Sequence, residues 1–174
     1  MNIRFAQASE QGSKLVLEGL LRLGRRPHHP HHQALQSGNT LIHSPHPIFD
    51  LGGEALAMGS GLESVKASGL RYLVKAGDTH LATAEVQFDA HGQAKMLSGL
   101  HYGPHAQATG EALAQLAAGT KLAEADASQE VRLLRCAAVG LLALWLKLRR
   151  TTKPYAIKAA WSVRPSGHMV CRTQ

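Results

Sequence analysis

The stretch "LRYLVKAGDTHLATAEVQFDAHGQAKMLSGLHY", Leu70 to Tyr102, decides the fold expected for this chain. It contains three runs of strand-forming residues, at 70–77, 79–89 and 94–102, and side chains of the second run alternate between two faces. Short turns separate the runs, and Gly92 lies where the second turn favours a positive φ. The pattern therefore predicts an antiparallel three-strand meander.

Helical spacing of apolar residues predicts helices on both sides of the meander. Ser9 could cap a helix that ends at Gly24, although the short run 14–23 could instead form a strand. An Ala-rich helix covers 105–118, and a long helix runs from Asp126 to about Arg150. The long helix is apolar all round over 136–146, so we expect it in the core or in an oligomer interface. A last strand is predicted over 153–165. The expected fold class is α+β: an antiparallel sheet, made of the meander plus this C-terminal strand, packed against the long apolar helix and the shorter Ala-rich helix.

The size and composition of the chain are those of a globular protein. Its 174 residues are 44% hydrophobic and 18% charged, which predicts a single domain over 1–174 with its own core. Residues 25–61 are the least regular part, because His, Pro and Gly punctuate them and only 39–43 resembles a strand. An irregular segment of this length inside a compact domain is usually functional or mobile.

Targeting signals are not evident in the sequence. The N-terminal residues lack the continuous apolar run of a signal peptide, and the longest uncharged apolar run, 136–146, is too short to span a bilayer. The two cysteines, Cys136 and Cys171, lie far apart and make no disulfide framework. We therefore expect a cytoplasmic protein that makes no contact with a membrane.

Charge is distributed unevenly along the chain. Residues 1–53 carry a net charge of +2, residues 54–130 carry −4, and residues 131–174 contain nine basic residues and no acid. This asymmetry predicts an anionic partner: a nucleic acid, a phosphorylated ligand or an acidic protein surface. The alternative is that the basic quarter faces the acidic middle of the chain within the fold or a dimer. The candidate anion-binding residues are Lys147, Arg149, Arg150, Lys153, Lys158 and Arg164.

The segment "RRPHHPHHQ", Arg25 to Gln33, concentrates four histidines around two prolines. Zinc, nickel or copper would suit imidazole ligands, and two further histidines close by in sequence could complete a shell. The alternatives are a solvated loop with adventitious metal affinity and a group of imidazoles that gains charge near pH 6. The candidate metal ligands are His28, His29, His31, His32, His43 and His46.

A second group of candidate residues lies in the sequence "HYGPH", at the turn from the third strand to the Ala-rich helix. His101, Tyr102 and His105 could line a cleft there, because turns at strand ends gather functional groups. The alternative is that His105 merely occupies the first helical turn while His101 faces solvent.

The remaining motifs carry little information about activity. The sequence Gly59-Ser60-Gly61 lacks the third glycine of a dinucleotide fingerprint, and the sequence has no nucleophile elbow. We therefore expect a small binding or interaction module without a catalytic constellation, oligomeric through its apolar helix. Two alternatives remain open: a nucleic-acid or phosphoanion binder that uses the basic C-terminal quarter, and a metal-binding protein or metal-dependent enzyme that uses the His-rich segment.

Overall fold

A computed structural model describes residues 2–26, 28, 31–36, 39–59, 62, 65–119, 128–149, 160–163 and 169–172. Four helices and nine strands lie in these ranges: β1 (Asn2–Arg4), α1 (Glu10–Gly24), α2 (His32–Gln36), β2 (Thr40–Asp50), α3 (Gly53–Ala57), β3 (Ala67–Ala76), β4 (Thr79–Phe88), β5 (Ala94–Tyr102), α4 (Pro104–Gly119), β6 (Ser128–Cys136), β7 (Leu141–Arg149), β8 (Ala160–Val163) and β9 (Met169–Arg172). The fold is mixed α+β, and most strand pairs are antiparallel.

The chain forms two compact units. We call residues 7–45 and 69–110 the meander unit, and residues 1–6, 46–68 and 111–174 the strand-rich unit. The prediction of a single domain stays a prediction. None of the helices in the described part of the chain is long and apolar enough to cross a membrane.

The meander unit confirms the strands predicted between residues 70 and 102. β3 pairs antiparallel with β4, and β4 pairs antiparallel with β5. Gly77 and Gly92 adopt φ values of 56° and 77° in the two turns, where a side chain would strain the backbone. In the second turn the Asp89 carboxylate accepts hydrogen bonds from the backbone N–H groups of His91 and Gln93, each at 2.9 Å. The residues of these two turns therefore fix the register of the strands that they connect.

Helix α1 confirms the helix predicted to begin after Ser9. The Ser9 hydroxyl accepts a hydrogen bond from the Gly12 backbone N–H at 3.0 Å, which satisfies one of the free donors at the helix start. Gly12 and Gly19 lie on the buried side of α1, against Tyr72 of β3 and Leu97 of β5 respectively. Small residues at these positions let the helix approach the meander closely.

The strand-rich unit corrects the predicted C-terminal helix. Residues 128–149 form an antiparallel hairpin of β6 and β7, joined by a 3₁₀ turn at Ala137–Val139, and Gly140 closes it at a φ of 61°. The apolar run 136–146 contributes most of β7, whose residues 143–146 are all buried. A strand covered on both faces needs a continuous apolar run, and periodicity alone does not separate such a strand from a buried helix. The expectation of an oligomer relied on that helix and stays a prediction.

The sheet of this unit contains more strands than the predicted C-terminal strand. β8 pairs with β7 and β9 pairs with β8, both antiparallel, while β1 and the end of β2 pair parallel to β6. Of the strand predicted over 153–165, only Ala160–Val163 is among the described residues, as β8. The segment 25–61 is also more regular than expected, because β2 alone covers eleven of its residues.

Candidate functional site

The predicted metal ligands are distributed over several elements. His28 is exposed, His31 stacks on Tyr102 with ring centroids 5.5 Å apart, and His32 begins α2. His43 belongs to the meander unit, whereas His46 is completely buried in the strand-rich unit. The sixth candidate, His29, lies outside the described residues. Within the described ranges, no group of three or more His, Cys, Asp or Glu side chains could hold a metal ion.

The predicted cleft residues point to different neighbours. His101 lies opposite Thr83 in the register of β4 and β5, with its ring beside Glu85, while Tyr102 stacks on His31. His105 is exposed in the first turn of α4, as the alternative interpretation proposed.

The predicted anion-binding set is described only in part. Lys147 lies directly opposite Glu130 across the β6–β7 pair, and Arg149 ends β7 opposite Ser128. The other four members of the set lie outside the described residues: Arg150, Lys153, Lys158 and Arg164.

Two arginines of the basic quarter are already paired with acids. The Nε of Arg132 donates to the Glu130 carboxylate at 3.0 Å, and its guanidinium lies over the rings of Phe49 and Trp145, 4.8 and 5.1 Å from their centroids. Arg135 donates to both carboxylate oxygens of Asp50, at 2.5 and 3.0 Å. These contacts favour an internal use for part of the basic charge, and anion binding by this quarter stays a prediction.

A cluster of basic side chains forms at the end of the meander where β4 begins. We call His43, Lys75 and His80 the cationic cluster. The rings of His43 and His80 have centroids 5.5 Å apart and are inclined by 38°. Lys75 is the partner of His80 in the β3–β4 register, next to a β-bulge. The cluster thus joins three strands, β2, β3 and β4.

The two ring nitrogens of His43 lie in different environments. Its Nδ1 is 2.8 Å from the hydroxyl of Ser44, a residue whose φ of 51° is unusual for a side chain other than glycine. Its Nε2 is buried and makes no hydrogen bond with the described part of the chain. A buried polar atom left in this state costs about 1–3 kcal/mol. Ordered water or a bound group can act as the partner of such an atom in a native structure.

Burial lowers the pKa of His43 below its ordinary value of 6.5, and the neighbouring His80 and Lys75 lower it further. His43 is therefore neutral at pH 7. The positive charge of Lys75 would repel a cation at this place.

The His80 ring is held by a close contact with α4. A Cβ at Gly110 would overlap the Nδ1, Cε1 and Cγ atoms of this ring. The His80 ring therefore lies directly against Gly110 of α4. The glycine positions one donor of the cationic cluster, because any larger residue would displace the ring.

A second polar cluster lies on β3, β4 and β5. Arg71 donates from Nε to the Glu85 carboxylate at 2.9 Å and from its second terminal nitrogen to the same oxygen, and both side chains are buried. The Nε2 of His101 is 3.8 Å from that oxygen, although the His101 side chain is 54% exposed. The cross-strand partner of Glu85 is Gly99, and a Cβ there would be 2.7 Å from the His101 Nε2. The missing side chain at Gly99 lets His101 lie against Glu85.

The comparisons with known proteins supply no function for this geometry. No protein-family model matches the sequence, and neither a curated protein nor a solved structure is significantly similar to it.

His80 and Lys75 were not among the residues singled out from the sequence. Their signal is the turn at Gly77 and Asp78, since residues on the two sides of a short turn face each other across a hairpin. His43 could not be added to them in this way, because it is more than thirty residues away from the turn.

Proposed function

We propose that this protein is a small binding module without catalysis of its own, and that it binds a small anion at the cationic cluster. The observation that carries the proposal is the buried Nε2 of His43, which has no hydrogen-bond partner in the described ranges. In the tautomer with the proton on Nε2, this nitrogen would donate a hydrogen bond to an anion, and the anion would bring a negative charge to a cluster of basic side chains. One bound anion would thus pair with the buried Nε2 of His43 and also balance the positive charge of the cluster.

The surroundings of His43 favour an anion over a metal ion. Lys75 lowers the pKa of His43 through its positive charge, and the same charge opposes any cation that approaches the two imidazoles. Two imidazoles also fall short of the three protein ligands that a zinc site normally uses. An anion is attracted by the charge of Lys75.

The second polar cluster supports a binding role rather than a catalytic one. Both donors of Arg71 meet one oxygen of Glu85, so each buried charge is neutralised by the other. The Arg71 guanidinium therefore occupies a Glu85 carboxylate oxygen in the buried part of the meander unit. Arg71 and Lys75 are four residues apart on β3, so strand alternation places the pair on the same face of the sheet as Lys75.

The proposal includes a small rearrangement on binding. The Nε2 of His43 is buried, so an anion reaches it only after a neighbouring side chain rotates. Lys75 is partly exposed and its stem is flexible, so its ammonium group can move to meet the anion.

The test is a calorimetric titration of the whole chain with phosphate, sulfate and acetate at low salt and at about pH 6, where imidazoles gain protons. We expect saturable binding of at least one anion, with changes in the ring resonances of His43 and His80 on NMR. Lys75→Met should weaken this binding about tenfold or more. Lys95→Met is the matched control, because Lys95 is exposed on β5.

Two results would contradict the proposal. One is the absence of saturable binding for every anion, and the other is an equal loss of affinity in the Lys75→Met and Lys95→Met variants. Stoichiometric zinc, nickel or copper binding that depends on His43 would support the metal-binding alternative instead.

A further inference from the structure

We infer that the anion bound by the cationic cluster is a phosphate monoester rather than a carboxylate. The inference rests on the proposed anion site and adds the chemical class of its ligand. It follows from the directions of the donors, from the kind of cation present and from the protons that the site can accept.

The two imidazoles offer single donors that do not lie in one plane. The Nδ1 of His43 is hydrogen-bonded to the Ser44 hydroxyl, which leaves its Nε2, and the His80 ring packs against Gly110. The rings are inclined by 38° with centroids 5.5 Å apart. A carboxylate has two oxygens in one plane and is matched best by parallel donors. A phosphate group has three terminal oxygens in a tetrahedral arrangement, so that separate donors can each meet a different oxygen.

The cation of the cluster is a lysine, not an arginine. The planar fork of a guanidinium recognises carboxylates through two parallel hydrogen bonds, whereas an ammonium acts as a point charge with three donors that can rotate. Arg71 shares the β3 face with Lys75, but its guanidinium is engaged by the Glu85 carboxylate. The cluster therefore presents charge and single donors, which is an arrangement suited to a phosphate.

The protonation of the cluster also fits a phosphate monoester. The second pKa of a phosphate monoester is about 6, close to the ordinary pKa of an imidazole, so that the two groups can share protons near neutral pH. His43 is neutral before binding, because burial, His80 and Lys75 lower its pKa. A phosphate dianion beside Nε2 reverses that balance, and proton uptake by the cluster should accompany binding.

The experiment compares methyl phosphate, inorganic phosphate, sulfate and acetate by calorimetry on the whole chain. Each titration is repeated near pH 7 in two buffers of different ionisation enthalpy, which gives the number of protons taken up. We expect methyl phosphate and inorganic phosphate to bind at least about tenfold more tightly than acetate. We also expect proton uptake that His43→Gln reduces, since glutamine keeps an N–H donor but does not titrate in this range. The exposed turn residue offers the control variant His91→Gln, which should leave the uptake unchanged.

The outcomes separate this inference from the proposed function. Acetate binding as tight as that of methyl phosphate would overturn the phosphate assignment and leave the anion site in place. Sulfate binding equal to phosphate binding, without proton uptake, would also overturn the phosphate assignment. Absence of saturable binding for all four anions would overturn the proposed function as well. Tighter binding of inorganic phosphate than of methyl phosphate would identify free phosphate, not a monoester, as the ligand and so overturn the assignment.

Discussion

Removal of one partner of the buried Arg71–Glu85 pair should be the most destabilising polar substitution in the meander unit. The side chains of Arg71 and Glu85 are only 7% and 5% exposed. Glu85→Gln leaves the guanidinium buried without a countercharge, and breaking a buried pair in this way costs about 3–5 kcal/mol. Small domains are stabilised by about 5–15 kcal/mol in total, so this loss is a large fraction of the free energy of unfolding.

An exposed ion pair in the same chain provides the matched control. Arg135 and Asp50 also share two hydrogen bonds, one to each carboxylate oxygen, but their side chains are 37% and 41% exposed. Water and salt screen such a pair, and its contribution is about 0–1 kcal/mol. Asp50→Asn should therefore change the free energy of unfolding by about 1 kcal/mol or less. The difference between the two variants isolates the effect of burial.

The assay is urea unfolding, followed by circular dichroism and by hydrogen exchange of the amides of β3 and β4. The double variant Arg71→Met, Glu85→Leu removes both charges, and we expect it to be more stable than either single substitution, because no charge is left buried alone. A Glu85→Gln variant within about 1 kcal/mol of the unsubstituted protein would refute the reasoning, since a buried charge would then cost no more than an exposed one. Equal effects of Glu85→Gln and Asp50→Asn would refute it in the same way.

Three further substitutions test local features of the meander unit. Gly99→Ala should push the His101 ring away from Glu85, because the new Cβ would be 2.7 Å from its Nε2; changed chemical shifts of the His101 ring on NMR at constant pH are expected, and unchanged shifts would contradict the contact. Ser9→Ala should lower the free energy of unfolding by about 1 kcal/mol through loss of the helix cap, measured by urea unfolding, and no loss would argue against the capping hydrogen bond. The lowered pKa of His43 means that the unfolded chain binds more protons than the folded one as the pH falls through 6.5, so stability should be complete above 6.5 and decrease below it. His43→Gln should reduce this dependence in thermal unfolding between about pH 5 and 8, and an identical pH profile would contradict the shift.

The meander and helix α1 could be predicted because their signals are local. Alternation along 79–89, glycine in the turns and Ser9 before a helical pattern each act within a few residues, and the strands and the cap appear where these signals place them. The hairpin of β6 and β7 could not be predicted in the same way. Its Leu- and Ala-rich sequence suits a buried helix equally well, and pairing with β2 and β8 decides between the two.

The candidate site could likewise be predicted only in part from the sequence. The sequence is rich in histidine, and it identified His43 and His101 as candidate site residues. Which groups lie beside them depended on contacts that the sequence does not display, namely His80 and Lys75 beside His43 and the Arg71–Glu85 pair beside His101.

The sequence by itself determined the strands of the meander, the cap of α1 and the distribution of charge, because propensity, turn geometry and capping depend on neighbouring residues. The tertiary structure alone decided that 128–149 is a pair of strands and that His43 meets His80. The physical reason is that an apolar run or an imidazole is compatible with several environments. The selection among them is made by residues distant in the chain, through burial and through the charges that burial brings together.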